Sequence, residues 1–523
     1  MTLRDRLCGG GRVRRGLALS AFVGAGLAGA AIAGTVAADR LDDTARAGVL
    51  RADVSVNVGR AVLGRPVSAG FVGLSIEYPA VTAYAGSDPS AINPVFEQLV
   101  RNLAPNQRPV LRIGGDSTDR TWWPASRLIR PLGVKYSISS RWLAVTRALA
   151  GGTAVRLILG VNLEANQPAI AVAETRALLS GIGARSVLAL EIGNEPNWYG
   201  TLPWYRKSSG RQVFGRSRAY DLRAFTAEFL ALRKHLPRVA LAGPTVGALP
   251  WLENLRTFLA AEPTLRVVTL HRYPLNRCFT TRGSPKYPTV ANMLSASASR
   301  GLATGIARYA EIAHQRGDVF RVDEMNSVAC GGKAGVSDTF ASALWALDTL
   351  FAIARSGADG VNVHTFPGAR YGLFTFRRVG TGWSAFVRPE YYGLLMFAQA
   401  APPGARLLSM TRTGSPEVRA WATRAPDGRI RLVLINDDVR HSHVVSVRLP
   451  ERASTVTLER LTAPSAWART GVALGNQTFG AQTRTGTPAR ARLTQVRTAG
   501  RGEYLVTLPA ASAAMVTASS TPQ

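Results

Sequence analysis

Two glutamates, Glu195 and Glu324, each close a short apolar run, 129 residues apart in a chain of 523. The first run, residues 187–194, stops abruptly at Asn194-Glu195-Pro196. The second, residues 319–324, ends on Asp323-Glu324. A pair of carboxyl groups about 5–5.5 Å apart can cleave a glycosidic bond with retention, one as general acid/base and the other as nucleophile. The acid must keep a proton that the nucleophile must lose, so the two need different surroundings. Either glutamate alone reads equally well as a polar strand end. Two of them at equivalent places point to catalysis.

Such a pair needs a scaffold that brings distant strand ends together. Apolar runs of this length between helical patterns read as strands buried on both faces of a parallel sheet. Residues 71–78, 109–114, 155–162, 187–194, 239–243, 267–271, 319–324 and 361–366 supply eight of them, each followed by a segment readable as helix. In the helix after Ser217, Leu222, Phe225, Phe229 and Leu232 make one apolar face, with Ser217 as N-cap and Pro237 closing it. Eight β-then-α units predict an α/β fold, a (β/α)8 TIM barrel, over residues 64–402. Catalytic groups stand at the C-terminal strand ends of such barrels, and strands four and seven can face each other across the mouth.

Beyond residue 403 the pattern changes. Segments 417–423, 429–436, 444–449, 454–461, 491–496, 503–508 and 513–518 alternate in polarity and are split by Pro, Gly and Asp. That spacing predicts a C-terminal all-β sandwich over residues 403–523, with residues 462–487 as loop. Residues 39–63 include one alternating strand, 54–62, that has no barrel partner and is expected to join the sandwich.

The N-terminus reads as a leader. Arg4, Arg6, Arg12, Arg14 and Arg15 precede a charge-free run, residues 17–38, that ends in small residues suited to cleavage. Its 22 residues also allow an uncleaved anchor, but few are strongly apolar, which favours a signal peptide over residues 1–38. Arg14-Arg15 permits a twin-arginine route as well as the general one. The expected location is therefore secreted or envelope-associated, with no membrane span once the leader is gone. The formal charge is +30, and removing five arginines and one aspartate with the leader leaves +26. Only five of the 63 basic residues are lysine, a skew that genome composition explains as well as function does. What remains suggests affinity for polyanions such as an acidic polysaccharide. No zinc-finger, helix-turn-helix or RNP-like pattern points to nucleic acid. Cys278 and Cys330 are the even pair left in an exported chain, so a disulfide is expected, tying the loop after strand six to the loop after strand seven. Neither has neighbours at metal-ligand spacing, and no metal or cofactor is expected.

Asn194-Glu195-Pro196 on strand four with Glu324 on strand seven resembles the large TIM-barrel clan of retaining glycosidases. Three further stretches resemble its heparanase and β-glucuronidase family, glycoside hydrolase family 79: Leu74-Ser75-Ile76-Glu77-Tyr78, Leu111-Arg112-Ile113-Gly114-Gly115-Asp116-Ser117-Thr118-Asp119, and Ser337-Asp338-Thr339-Phe340. The resemblance covers residues 54–518, including the β-domain. It implies Glu195 as general acid/base and Glu324 as nucleophile. It also implies that a sugar carboxylate is read by tyrosine hydroxyls and backbone N–H groups after strands seven and eight. Tyr371 matches the strand-eight position. After strand seven this chain has Ala329-Cys330-Gly331-Gly332, with Ala329 where the family pattern has tyrosine. The task there passes to the Gly331-Gly332 backbone, Arg370 or Lys333.

The remaining strand-end residues fit this plan, each with an alternative. Asn194 can donate to a sugar hydroxyl beside the anomeric carbon. Arg112 can hold the nucleophile ionised or form a structural ion pair under the mouth. Glu77 and Asp116 can bind sugar hydroxyls or partner an arginine. His271 and Tyr273 end strand six, where a tyrosine can donate to the nucleophile or simply pack the rim. Trp122 and Trp123 can stack on a sugar or fill the rim. The leading expectation is an exported retaining β-glucuronidase with an acidic carbohydrate substrate. A clan relative acting on a neutral β-glycoside and a non-hydrolytic polysaccharide-binding wall protein are the alternatives.

Overall fold

The structure is a computed structural model that describes residues 51–125, 127–488, 493–496 and 502–520; the leader at residues 1–38 lies outside them. Eight parallel strands close into a barrel: Val72–Glu77, Val110–Gly114, Arg156–Val161, Val187–Ile192, Leu241–Val246, Leu265–Arg272, Val319–Met325 and Gly360–His364. They lie in chain order, and closure is made where His364 stands opposite Ser75. Residues two apart share a face of a strand, and this alternation divides the barrel interior. Val110, Ala189 and Val267 belong to a small apolar cluster. The next residues on the same faces, Arg112, Glu191 and Thr269, meet instead through polar contacts nearer the C-terminal ends.

Helices surround the barrel, and their caps are local. The helix Leu222–Arg233 is capped by Asp221, whose carboxylate accepts from Ala224 N at 2.8 Å. Ser217, the cap expected from sequence, stands four residues too early. The helices Ala341–Arg355 and Pro389–Ala400 are buried on nearly every side. A helix apolar all round must be covered all round. They press together closely enough that a Cβ at Gly393 would stand 2.2 Å from the Ala343 carbonyl oxygen. The β-domain covers them further: Trp421 stacks on Phe351 at 5.7 Å and donates to Asp348 at 2.7 Å.

The β-domain is one continuous ten-stranded sheet. It curls until Glu503–Leu508 comes against both Ile430–Asn436 and Ser512–Ser520, which gives a sandwich-like core of Val56, Leu432, Leu434, Val445, Val506 and Val516. Val54–Leu63 sits inside this sheet, antiparallel to Arg406–Thr413 and parallel to His443–Arg448. Arg406–Thr413 is a strand that the polarity pattern did not show. Residues 462–487 are mostly irregular, with a two-residue strand Ala473–Leu474, and hydrogen-bond back onto the barrel side through Phe340, Ala341 and Ala385. Of the segment 491–496, residues 491 and 492 are outside the described residues, and Thr494–Gln495 pairs with Ala453–Thr462. Among the described residues no helix is long and apolar enough to cross a membrane.

Candidate active site

The ends of strands one, two, four, six, seven and eight converge on one buried polar and ionic network. Arg112, fully buried, donates from Nε to Glu191 at 2.6 Å, from Nη1 to Glu324 at 2.7 Å and to Ser75 at 3.1 Å, and from Nη2 to Asn194 Oδ1 at 2.9 Å. A guanidinium can only donate, so the Asn194 atom facing it must be the amide oxygen, and the NH₂ group points elsewhere. Tyr273 donates to the other Glu324 oxygen at 2.8 Å. Burial alone would raise the Glu324 carboxyl. The charges of His364, His271 and Arg112 and the Tyr273 hydroxyl outweigh burial and hold it well below the usual carboxylate range.

Two carboxyls beneath Glu324 complete the network. Burial, with the charge of Glu191 beside it, pushes the Asp323 carboxyl well above the usual carboxylate range. Burial would raise Glu191 too, but Arg112 outweighs it and Glu191 stays ionised. His364 stands 3.0 Å from Ser75 Oγ, 3.4 Å from Glu77 and 3.9 Å from Glu324. Burial pulls its pKa down, but the two glutamates win and raise it.

Glu195 is positioned differently. Strand four ends at Ile192, Gly193 turns at φ 78°, and Glu195 itself takes φ 47°. A non-glycine residue in this left-handed region costs about 1–3 kcal/mol and persists only where its surroundings hold it. Here the Glu195 N–H donates to the Thr245 carbonyl at 3.0 Å, and Pro196 begins the turn Pro196–Trp198. Asp119 anchors the preceding residue, accepting from Asn194 N at 2.9 Å and from the Tyr199 hydroxyl at 2.7 Å. The Glu195 carboxylate meets His271 Nδ1 at 3.1 Å, and His271 Nε2 is 3.0 Å from Thr245 Oγ1. A Cβ at Gly247 would lie 2.4 Å from Glu195 Oε1, so only glycine leaves room for the carboxylate there. One oxygen each of Glu195 and Glu324 and a ring nitrogen of His271 lie within 4.8 Å of one another. These three could bracket a cation, but both Glu324 oxygens already accept from Arg112 and Tyr273.

All this opens into a cavity of about 710 Å³. Glu77, Asp116, Glu195, His271, Tyr273, Glu324, Gly331 and Tyr371 line it. Glu77 accepts from Ser117 N at 2.8 Å and faces His364, so it has partners of its own besides any sugar. Tyr371 is buried against Tyr273, its ring 6.1 Å away and its hydroxyl bonded to that of Tyr273. The Gly331-Gly332 expectation needs correction. The Gly332 N–H already donates to the Val328 carbonyl at 3.1 Å, and only Gly331 lines the cavity. Lys333 sits on the Tyr287 ring and donates to Pro288 O at 2.8 Å. Trp122 is buried with its indole on Ser137, and Trp123 faces another groove. The cavity's indole is Trp198. Cys278 and Cys330 are joined, with Cα atoms 6.3 Å apart. Glu191, Asp323 and His364 were not singled out from sequence; a lone charge inside an apolar strand was the available signal.

Residues 420–515 match the family model described as the glycosyl hydrolase family 79 C-terminal beta domain. The chain is 24% identical over 503 residues to a β-glucuronidase from Aspergillus niger, covering 84% of this chain and 89% of that one. It is 23% identical to a β-glucuronidase from Neurospora crassa, covering 73% and 74%. Among solved structures, a 4-O-α-L-rhamnosyl-β-D-glucuronidase from Fusarium oxysporum superposes with a TM-score of 0.67 at 21% identity, over 88% of this chain and all of that one. A GH51 arabinofuranosidase from Xanthomonas axonopodis gives 0.64 at 16% identity, over 90% of this chain and all of that one. Fold and relatives together define a TIM-barrel glycoside hydrolase. More narrowly, the family that the chain resembles is glycoside hydrolase family 79.

Proposed function

We propose that this chain is an exported retaining β-glucuronidase, with Glu324 as nucleophile and Glu195 as general acid/base. The observation that carries the proposal is the approach of the two carboxylates within 4.8 Å. Retention needs a separation of about 5–5.5 Å, whereas inversion needs about 6.5–9.5 Å to admit a water. Glu324 has the surroundings of an ionised nucleophile, with a guanidinium on one oxygen and a phenol on the other. Asn194, oriented by Arg112, has its NH₂ available to a sugar hydroxyl next to the reacting carbon. The leader supports export, and the curated relatives support glucuronic acid as the sugar.

In this reading Tyr371 and the Gly331 backbone face the sugar carboxylate. Removing one donor to a buried carboxylate costs about 1–3 kcal/mol. Tyr371→Phe should therefore lower kcat/KM for an aryl β-glucuronide roughly 5- to 150-fold and leave the matching β-glucoside nearly unchanged. Equal losses on both would make Tyr371 a support for Tyr273 instead. One observation favours a second reading, a neutral β-glycoside: Ala329 lines the cavity where the family pattern would place another phenol. A wild type that prefers the glucoside would establish that reading.

A further inference from the structure

Beside Glu195 the cavity wall holds two aromatic rings that the chemistry at the anomeric carbon does not use. Trp198, three residues after Glu195, and Phe279, next to Cys278, stack with centroids 6.1 Å apart and planes 20° apart. Both line the cavity, yet Phe279 is 51% exposed. A phenylalanine half in water has no folding reason to be held in place, but this one is. Asn276 Oδ1 accepts from the N–H groups of Cys278 and Phe279 at 2.8 and 2.9 Å, and the disulfide ties the segment to the loop after strand seven. The rings also stand on a particular side of the site. A Cβ built at Gly247 would meet Glu195 Oε1 at 2.4 Å and Trp198 Nε1 at 3.4 Å, so indole and carboxylate share one corner. An acid/base glutamate protonates the glycosidic oxygen, and the leaving group departs past it.

We propose that Trp198 and Phe279 form an aglycone subsite that takes a flat apolar face, either an aryl ring or the apolar face of a β-linked pyranose. This rests on Glu195 being the acid/base, and it makes the disulfide a positioning device for Phe279. The test compares kcat/KM for methyl, phenyl and disaccharide β-glucuronides in the wild type, Phe279→Ala and Phe279→Trp. Leaving-group reactivity cancels when each substrate is compared between variants. An aromatic contact of this kind predicts that Phe279→Ala loses about 3- to 10-fold more on the phenyl glycoside than on the methyl one, and that Phe279→Trp restores the difference. Cys330→Ser should reproduce part of that loss. An equal extra loss on the disaccharide assigns the subsite to a sugar, and a loss confined to the phenyl glycoside assigns it to an aryl group. Equal effects on all three substrates, or none, overturn the proposal. The same ordering is read as Kd by calorimetry on Glu324→Gln, which needs no turnover. If the wild type prefers glucosides, the glucuronate reading falls while the same series, run on glucosides, still tests the subsite.

Discussion

The two strand ends that carry Glu324 and Glu195 are built in opposite ways. Glu324 stands inside its strand, beside a break in register at Asp323, with Arg112 on one oxygen and Tyr273 on the other. Glu195 stands past the end of its strand in a left-handed turn, with His271 on one oxygen. Among the described residues no arginine or lysine lies within ion-pair distance of Glu195, and its side chain is 20% exposed against 10% for Glu324. The difference fits the proposed roles of nucleophile and acid/base. A nucleophile must stay charged in a dry site, which calls for a cation and donors fixed before substrate arrives. An acid/base must gain and lose a proton each turnover, which a permanent guanidinium would oppose. The backbone differs too: Glu324 stays inside its strand, whereas Glu195 is turned out past the end of its own.

The comparison can be broken most severely at Glu324 itself. Glu324→Gln should lower kcat on an aryl β-glycoside by on the order of 10⁴-fold or more. A tenfold loss would mean that the clamp holds a structural carboxylate. The next largest effect is expected at Arg112. Arg112→Met leaves Glu191 and Glu324 buried without their cation, which should cost about 3–5 kcal/mol in urea unfolding. It should also move the acid limb of the kcat/KM profile to higher pH, because Glu324 loses a charge that holds it ionised. Tyr273→Phe sharpens the picture, since it removes one donor and no charge. About 1–3 kcal/mol lost from the nucleophile's hydrogen bonding predicts a 5- to 150-fold fall in kcat/KM with a smaller upward shift of the acid limb. An unchanged profile would make Tyr273 a rim residue.

The smallest effect is on stability against acid. The folded-state pKa of Glu324 lies below its ordinary 4.5. Its ionised form therefore stabilises the fold above about pH 4.5, and that contribution is lost as pH falls through the lower folded value. Wild type should lose urea stability from pH 5 downward more steeply than Glu324→Gln, by about 1.4 kcal/mol for each unit of displacement. Parallel curves would show that the clamp does not act on the charge of Glu324.

The same contrast decided what the sequence could show. The barrel strands were legible because burial on both faces leaves only apolar residues, and Glu195 and Glu324 because each ends such a run. Arg112 showed as a charge inside a run, but its partners did not. Nothing along the chain says that Glu191 and Asp323, on strands four and seven, meet beneath it. Arg406–Thr413 hid because half of it is polar and its mate, Val54–Leu63, is over 340 residues away. Trp198 and Phe279 come together only through the fold, from loops after strands four and six. The expected Gly332 donor failed for a local reason, its N–H being taken by Val328 in the turn that presents Gly331.

The division of labour between the two glutamates is tested most directly by azide rescue with the product's configuration read by NMR. Glu195→Ala should still form the glycosyl-enzyme from an activated aryl β-glycoside, and azide should then attack it to give the β-glycosyl azide. Glu324→Ala cannot form that intermediate, and azide entering the vacated space should give the α-glycosyl azide. The reverse pair of products would exchange the two roles, and rescue of neither variant would contradict the assignment of catalysis to this pair.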